Sequence, residues 1–558
     1  MTSNATFALF LLLFCSACQT PAPKYDLVLR NGLIYDGTGQ PGFRGDVAVV
    51  GDSIVAVGSL GTDKGVVEVD VQGKAIAPGF VNMLSWSTES LLADGRSQGE
   101  IRQGVTLEIM GEGESMGPIN DFLRDYALKN QSDIKYEMPW TSLGEYLEHL
   151  EKRGVSCNVA SFVGAATIRS HELKFENRAP TPEELERMKV LVREAMREGA
   201  LGVGTALIYA PGNYASTEEL IALCQEAAKY GGSYITHLRS EGNRFLEAID
   251  EVIRIAREAG IRAEIYHLKA GGKHNWHKMD LAIAKIDSAR AAGIDLSTNM
   301  YTYIAGATGF DAAMPPAVQE GGIDRWVERL KDPKQRPGII AAMKTNAADW
   351  ENLYFSAGAE GVLLAGFKED SLKYLTGKRL TEVARFYGKS PEETILDLII
   401  KDHTRIGVVY FLMSEDNVRK QIKLPYMSFG SDAASMAPEG VFLKSSTHPR
   451  AYGNFARLLG KYVRDEKIIP LEAAIRKLSS LPCENLRLQR RGKLAPGYFA
   501  DLVVFDPATI QDHATFDQPH QYATGVSDVW VNGKQVLKNG EHTGATPGRV
   551  VRGPGYGK

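Results

Sequence analysis

The chain has 558 residues, which is long for one domain and favours a large domain with an accessory module. Apolar residues make up 44% and charged residues 24%, ordinary values for a globular protein. A formal net charge of -4 and the absence of long like-charge runs exclude a nucleic-acid-binding surface of the usual basic kind.

The chain opens with Phe7–Phe14, FALFLLLF, an apolar run too short to span a membrane but suited to the core of a secretory signal. Cys15-Ser16-Ala17-Cys18 follows and resembles a bacterial lipoprotein cleavage site with Cys18 as the lipidated residue. Residues 1–24 therefore read as a signal plus tether, and the protein is expected to be exported, either periplasmic or anchored by lipid. Cys157, Cys224 and Cys483 lie in apolar stretches without metal-knuckle spacing and are expected in the core.

Residues 25–78 form short apolar runs between Gly and Asn/Asp turns, and residues 485–545 repeat the style in Ala500–Asp506 and Val526–Lys534. The two ends are predicted to meet in one small β module, with residues 79–484 inserted between them.

Within the insert, strands and helices alternate. Thr181-Pro182-Glu183-Glu184 is a capping box with proline at the first helical position, and Gly199 closes the helix it starts. Helices near 218–230, 243–259 and 279–291 end at Gly231, Gly260 and Gly293 and lead into apolar runs. Candidate strands fall at 79–84, 104–111, 157–164, 200–207, 233–238, 262–268, 295–301 and 427–432, which predicts an α/β (β/α)8 barrel of the TIM type. Residues 305–400 read as loop and helix and are expected as a lid over the barrel mouth. The apolar run Gly407–Leu412 has no place in this scheme.

In such a barrel the C-terminal strand ends carry the chemistry. His237 ends the fifth strand and His267 the sixth, one βα unit apart, so both face the same mouth and can converge on one metal ion. A lone strand-end histidine is more often structural; the repetition is what points to ligands. Asp432 ends the eighth strand and is a candidate general base for a metal-activated water. Glu112, after the second strand, could complete the metal shell, with Glu114 as its competitor.

Several segments in order resemble the amidohydrolase superfamily and, within it, the D-aminoacylase (N-acyl-D-amino-acid deacylase) group. They include Leu29-Arg-Asn-Gly-Leu-Ile-Tyr-Asp-Gly, Ala77-Pro-Gly-Phe-Val, Gly202-Val-Gly-Thr-Ala-Leu-Ile-Tyr209, Thr236-His237-Leu-Arg-Ser-Glu-Gly, His267-Leu-Lys269, Gly430-Ser-Asp432, His448-Pro-Arg450-Ala-Tyr452-Gly and Gly492-Lys-Leu-Ala-Pro-Gly. The resemblance covers nearly the whole chain after the signal. It implies a TIM barrel with a small β-sandwich from both chain ends, and hydrolysis of N-acyl amino acids, small-molecule substrates. It further implies one zinc on His237, His267 and a second-strand ligand, here Glu112, with Asp432 as base. Lys269 and Arg450 match positions near the substrate carboxylate, and Tyr209 and Tyr452 are expected against the substrate.

Two departures stand out. The superfamily places His-x-His after Pro-Gly-Phe, where this chain has Leu84-Ser85-Trp86, so the second, more exposed metal position is expected to be empty. Val163-Gly164-Ala165 also lacks the histidine that many relatives carry after glycine.

Overall fold

The computed structural model describes residues 24–558; the expected signal segment and Cys18 lie outside the described residues. The barrel strands are β1 (Phe80–Asn82), β2 (Val105–Met110), β3 (Asn158–Ser161, resumed at Val163–Gly164), β4 (Gly202–Ala206), β5 (Ser233–His237), β6 (Arg262–Ile265), β7 (Leu296–Met300) and β8 (Met427–Phe429). Each pairs in parallel with the next, with Phe162 at the joint within β3. The ring closes where Met83 N donates to Phe429 O at 3.1 Å and Ser85 bridges Ala433 in parallel. All six residues of β2 and all five of β5 are buried, the pattern of strands covered on both faces.

The helices around the ring follow local signals. Thr181 accepts from the backbone N–H of Glu184, whose side chain reaches back to the Thr181 N–H, and this box starts the helix Pro182–Arg197. Helix Phe245–Ala259 stops at Gly260, whose φ of 61° few other residues tolerate. Its buried face carries Ile249, Val252, Ile253 and Ala256, three or four residues apart.

Both chain ends build one continuous nine-stranded sheet, from Glu541–His542 at one edge, through Leu502–Phe505 and Ala75–Pro78, to Ser53–Gly58 at the other. Tyr25–Ile34 pairs with Gly65–Asp70 along its first half and with Ala75–Pro78 at its end. The sheet folds around its own core of Leu27, Leu29, Val47, Ile76, Leu502 and Trp530. Cys157, Cys224 and Cys483 are buried free thiols.

The segment after β7 is more ordered than its sequence suggests. Ala305–Gly309, Gly407–Phe411 and Val362–Gly366 form an antiparallel sheet with Gly407–Phe411 in the middle, which places the apolar run that the barrel scheme left over. The lid thus extends past residue 400 and is an α/β subdomain. Helices Ile323–Lys331, Arg336–Met343, Leu380–Tyr387 and Pro391–Asp402 pack with it around Trp326, Leu330, Met343, Leu364, Val383 and Ile399.

Candidate metal centre and active site

The strand ends open into a cavity of ≈ 750 Å³, lined from the barrel side by Trp86, Glu112, Tyr209, His237, His267, Lys269, Asp432 and Arg450 and from the lid by Asp311, Glu351 and Arg405. Sharp turns aim two of these side chains inward. His267 has φ 30° and Asp432 φ 50°, left-handed values that cost non-glycine residues energy and recur at functional sites. Buried hydrogen bonds hold both turns: His267 N donates to Asn299 Oδ1 at 2.8 Å, and Asp432 N to Leu84 O at 2.8 Å.

Three ligand-type atoms converge. His267 Nε2 is 2.8 Å from Glu112 Oε1 and 3.0 Å from His237 Nδ1, and His237 Nδ1 is 3.4 Å from the same Glu112 oxygen. Four-coordinate zinc at about 2.0–2.1 Å from each donor sets neighbouring donors about 3.3 Å apart, so this triangle is close to the size the ion requires. Two imidazoles and a carboxylate are also donors that zinc accepts. The residues fit a metal ion. Among the described residues no other group of three or more such side chains converges in this way. Glu114 lines the cavity but stays outside the triangle.

The electrostatics fit the same role. Burial and Lys269 oppose charge on His267, but Glu241 and Glu112 outweigh them and push its pKa up to about 9. Burial opposes charge on Glu112 as well, yet the two histidines hold its carboxyl well below the usual range. His237 is pushed down, chiefly by burial. Without a cation the triangle therefore holds a proton between an imidazolium and a carboxylate.

Glu241, four residues after His237 and not singled out from the sequence, buttresses both histidines. Its Oε1 is 3.1 Å from His267 Nδ1 and its Oε2 3.4 Å from His237 Nε2. A carboxylate behind a ligating imidazole fixes its tautomer and orientation. Burial opposes its charge, but His237, Lys269 and His267 keep its pKa near 2.

Lys269 and Arg450 do not stand free. Lys269 Nζ lies 2.6 Å from Glu241 Oε1 and 2.7 Å from His267 Nδ1. Arg450 Nη1 lies 2.8 Å from Asp432 Oδ2, but neither Nη1 nor Nε makes an aligned hydrogen bond, so a buried guanidinium keeps unspent donors at the cavity. Tyr209 stands on the wall, its ring centroid 5.4 Å from that of His237.

Tyr452 is a correction. It is buried away from the cavity, with its hydroxyl 3.1 Å from His520 Nδ1. Arg450 and Tyr452 sit two apart on the helix Arg450–Arg457, and residues so spaced face different sides. Where the superfamily's second strand-1 histidine would stand, this chain has Trp86, whose Nε1 lies 2.9 Å from Glu112 Oε2. At β3 no imidazole enters; Gly164 is followed by Ala165 and Ala166, and a side chain on Gly164 would strike Gly113 O.

Known proteins share this architecture. Residues 67–537 match the amidohydrolase family. D-aminoacylase from Alcaligenes xylosoxydans xylosoxydans is 33% identical over 537 residues, spanning 96% of this chain and 99% of that one. A solved D-aminoacylase structure described by its binuclear metal centre, with one-metal activation and second-metal attenuation, superposes with a TM-score of 0.79 at 32% identity, covering 95% of this chain and all of that one. The N-acyl-D-glutamate deacylase of Bordetella bronchiseptica, solved with zinc and a phosphonate mimic of the tetrahedral intermediate, gives 0.77 at 27% identity over 95% of this chain and 100% of that one. This chain, a TIM-type barrel with two strand-end histidines and a glutamate converging at its mouth, belongs to the amidohydrolase family, among the D-aminoacylases and N-acyl-D-amino-acid deacylases.

Proposed function

We propose that the protein hydrolyses the amide bond of N-acyl amino acids, of the D series, with a single zinc ion held by Glu112, His237 and His267. The observation that carries the reading is the donor triangle with Asp432 and Arg450 beside it in one cavity. The D series and the zinc are supported by the relatives, which are named for N-acyl-D-amino-acid substrates and include a zinc complex.

Zinc bound there supplies Lewis acidity, which polarises an amide carbonyl and acidifies water. The rest falls to the chain. Asp432 takes a proton from the attacking water and returns it to the leaving nitrogen. Burial, aided by Glu112, raises its carboxyl above the ordinary range against the pull of Arg450, which suits a group that must both accept and release a proton. Arg450, whose Nε makes no hydrogen bond and whose Nη1 lies against Asp432 Oδ2, offers its guanidinium to the substrate carboxylate, a pairing for which it is shaped. Lys269 adds positive charge to the lining, and Tyr209 bounds the pocket. The lid supplies Arg405, whose Nε donates to Asp311 Oδ1 at 3.0 Å, as a lining of the outer chamber where acyl and side-chain groups are sorted.

Elemental analysis of purified protein, with a panel of N-acetyl-D- and N-acetyl-L-amino acids and hydantoins, tests the reading. It expects close to one zinc per chain and turnover of the D series; a metal-free protein inert on the whole panel sinks it. Export and lipidation at Cys18 rest on residues 1–24 alone, and intact mass of the membrane-extracted protein checks them.

A further inference from the structure

Glu112 uses its two oxygens differently. Oε1 faces the imidazoles, 2.8 Å from His267 Nε2, while Oε2 turns away and accepts from Trp86 Nε1 at 2.9 Å. The same indole N–H also lies 3.1 Å from Asp432 Oδ1, whose other oxygen meets Arg450. One neutral donor thus spans two carboxylates that come from opposite sides of the barrel closure, β2 and β8.

The backbone fixes that donor. Trp86 N donates to Ala433 O at 3.0 Å, and Ser85 N to Ile109 O at 2.8 Å, so the residue is pinned to both strands whose carboxylates it meets. Trp86 keeps about a third of its surface open and walls the substrate cavity. Two carboxylates converging on one point are ordinarily reconciled by a cation or a shared proton. An indole N–H is donor only, offers no lone pair to a metal, and does not titrate.

We propose that Trp86 is a positioning residue whose indole N–H takes the place of a second cation between Glu112 and Asp432 and fixes the base against the ligand, while its ring, which offers no ligand atom, keeps the centre to one metal. The inference rests on the zinc reading above for its kinetic part. The bridge itself can be read without metal.

The test uses the full chain, as purified and metal-free, with Trp86→Phe and Trp86→His. In metal-free protein labelled with ¹⁵N at indole nitrogens, the Trp86 signal, assigned by its loss in Trp86→Phe, is expected to be shielded from solvent exchange. A Trp86 indole that exchanges as fast as free tryptophan overturns the bridge, whatever the zinc content. On titration with zinc, wild type is expected to stop at one ion, and so is Trp86→Phe. Trp86→His puts an imidazole between two carboxylates and is expected to take a second. Trp86→Phe should lower kcat about 10-fold or more with a much smaller change in KM, since it releases Asp432 Oδ1 and leaves Oδ2 on Arg450. Unchanged kcat in Trp86→Phe, or a second zinc in wild type bound as tightly as the first, overturns the proposal. Failure of wild type to take even one zinc counts against the proposed function instead, and leaves the indole measurement to decide the bridge.

Discussion

Arg450 meets Asp432 at the mouth of the barrel, Nη1 to Oδ2 at 2.8 Å, with 2% of the arginine side chain and 11% of the aspartate exposed. Two roles meet in that contact, because the guanidinium that steadies the base also has donors to spare for a substrate carboxylate. Replacing Arg450 by lysine keeps the charge and loses the fork. Arg450→Lys is expected to raise KM for an N-acyl amino acid about 10-fold and to lower kcat as well. A rise in KM with kcat untouched would show that the contact with Asp432 is idle.

Asp432→Asn removes the proton carrier while leaving the three ligands intact. Activity should fall about 10²- to 10⁴-fold, with zinc content unchanged. Loss of zinc in this variant would make Asp432 a ligand and not the base.

Zinc uptake should release a proton. His267 has a pKa of about 9 in the metal-free site, because Glu241 and Glu112 outweigh burial and Lys269, so at pH 7 it is protonated and must lose that proton to bind a metal. Calorimetry in buffers of different ionisation enthalpy is expected to show about one proton released per zinc, with affinity weakening about tenfold per pH unit below about 9. Binding enthalpies that do not depend on the buffer would contradict this.

Glu241→Gln keeps the triangle and weakens what stands behind it. Zinc affinity should drop about 10- to 100-fold, as for other partners of ligating histidines. Competition with a chromogenic chelator measures it, and a wild-type affinity would assign Glu241 to Lys269 alone.

Glu351 anchors the lid to the barrel loop, accepting from Ser240 Oγ at 2.8 Å and from Glu241 N at 3.2 Å. Burial, with Glu241 close by, pushes its pKa up to about 7. A carboxyl raised on folding adds stability in full below its unfolded pKa of about 4.3, and that contribution is lost as pH rises to about 7. Glu351→Gln cannot ionise, so its melting temperature should fall less than that of wild type between pH 4.5 and pH 7.5, by the equivalent of on the order of 2 kcal/mol. Parallel curves for the two proteins would show that the group titrates normally.

What could be read in the sequence was what local chemistry determines. Thr181 and Glu184 announce their helix because both partners of the capping box lie within one turn. His237 and His267 announce the mouth because strand and helix lengths repeat. The rest depends on contacts between distant segments. Glu241 is one of 68 acidic residues, and only the fold shows which of them stands behind two imidazoles. Ala305–Gly309, AGATG, has no alternating pattern, so the lid sheet was hidden until Gly407–Phe411 supplied its partner. Arg450 and Tyr452 stand together in one short motif, but on the helix Arg450–Arg457 they diverge, and only the fold shows Tyr452 turned to His520.

The lid encloses an apolar core of its own, separate from the cluster that joins the barrel to its helices. From the barrel's strand ends that core takes in Ile208, Tyr301 and Tyr303, while Glu112, His237, His267 and Asp432 lie outside it. A change of substrate can be written into one module while the reaction stays encoded in the other. Transplanting residues 305–411 between relatives should move preference and leave the chemistry where it was.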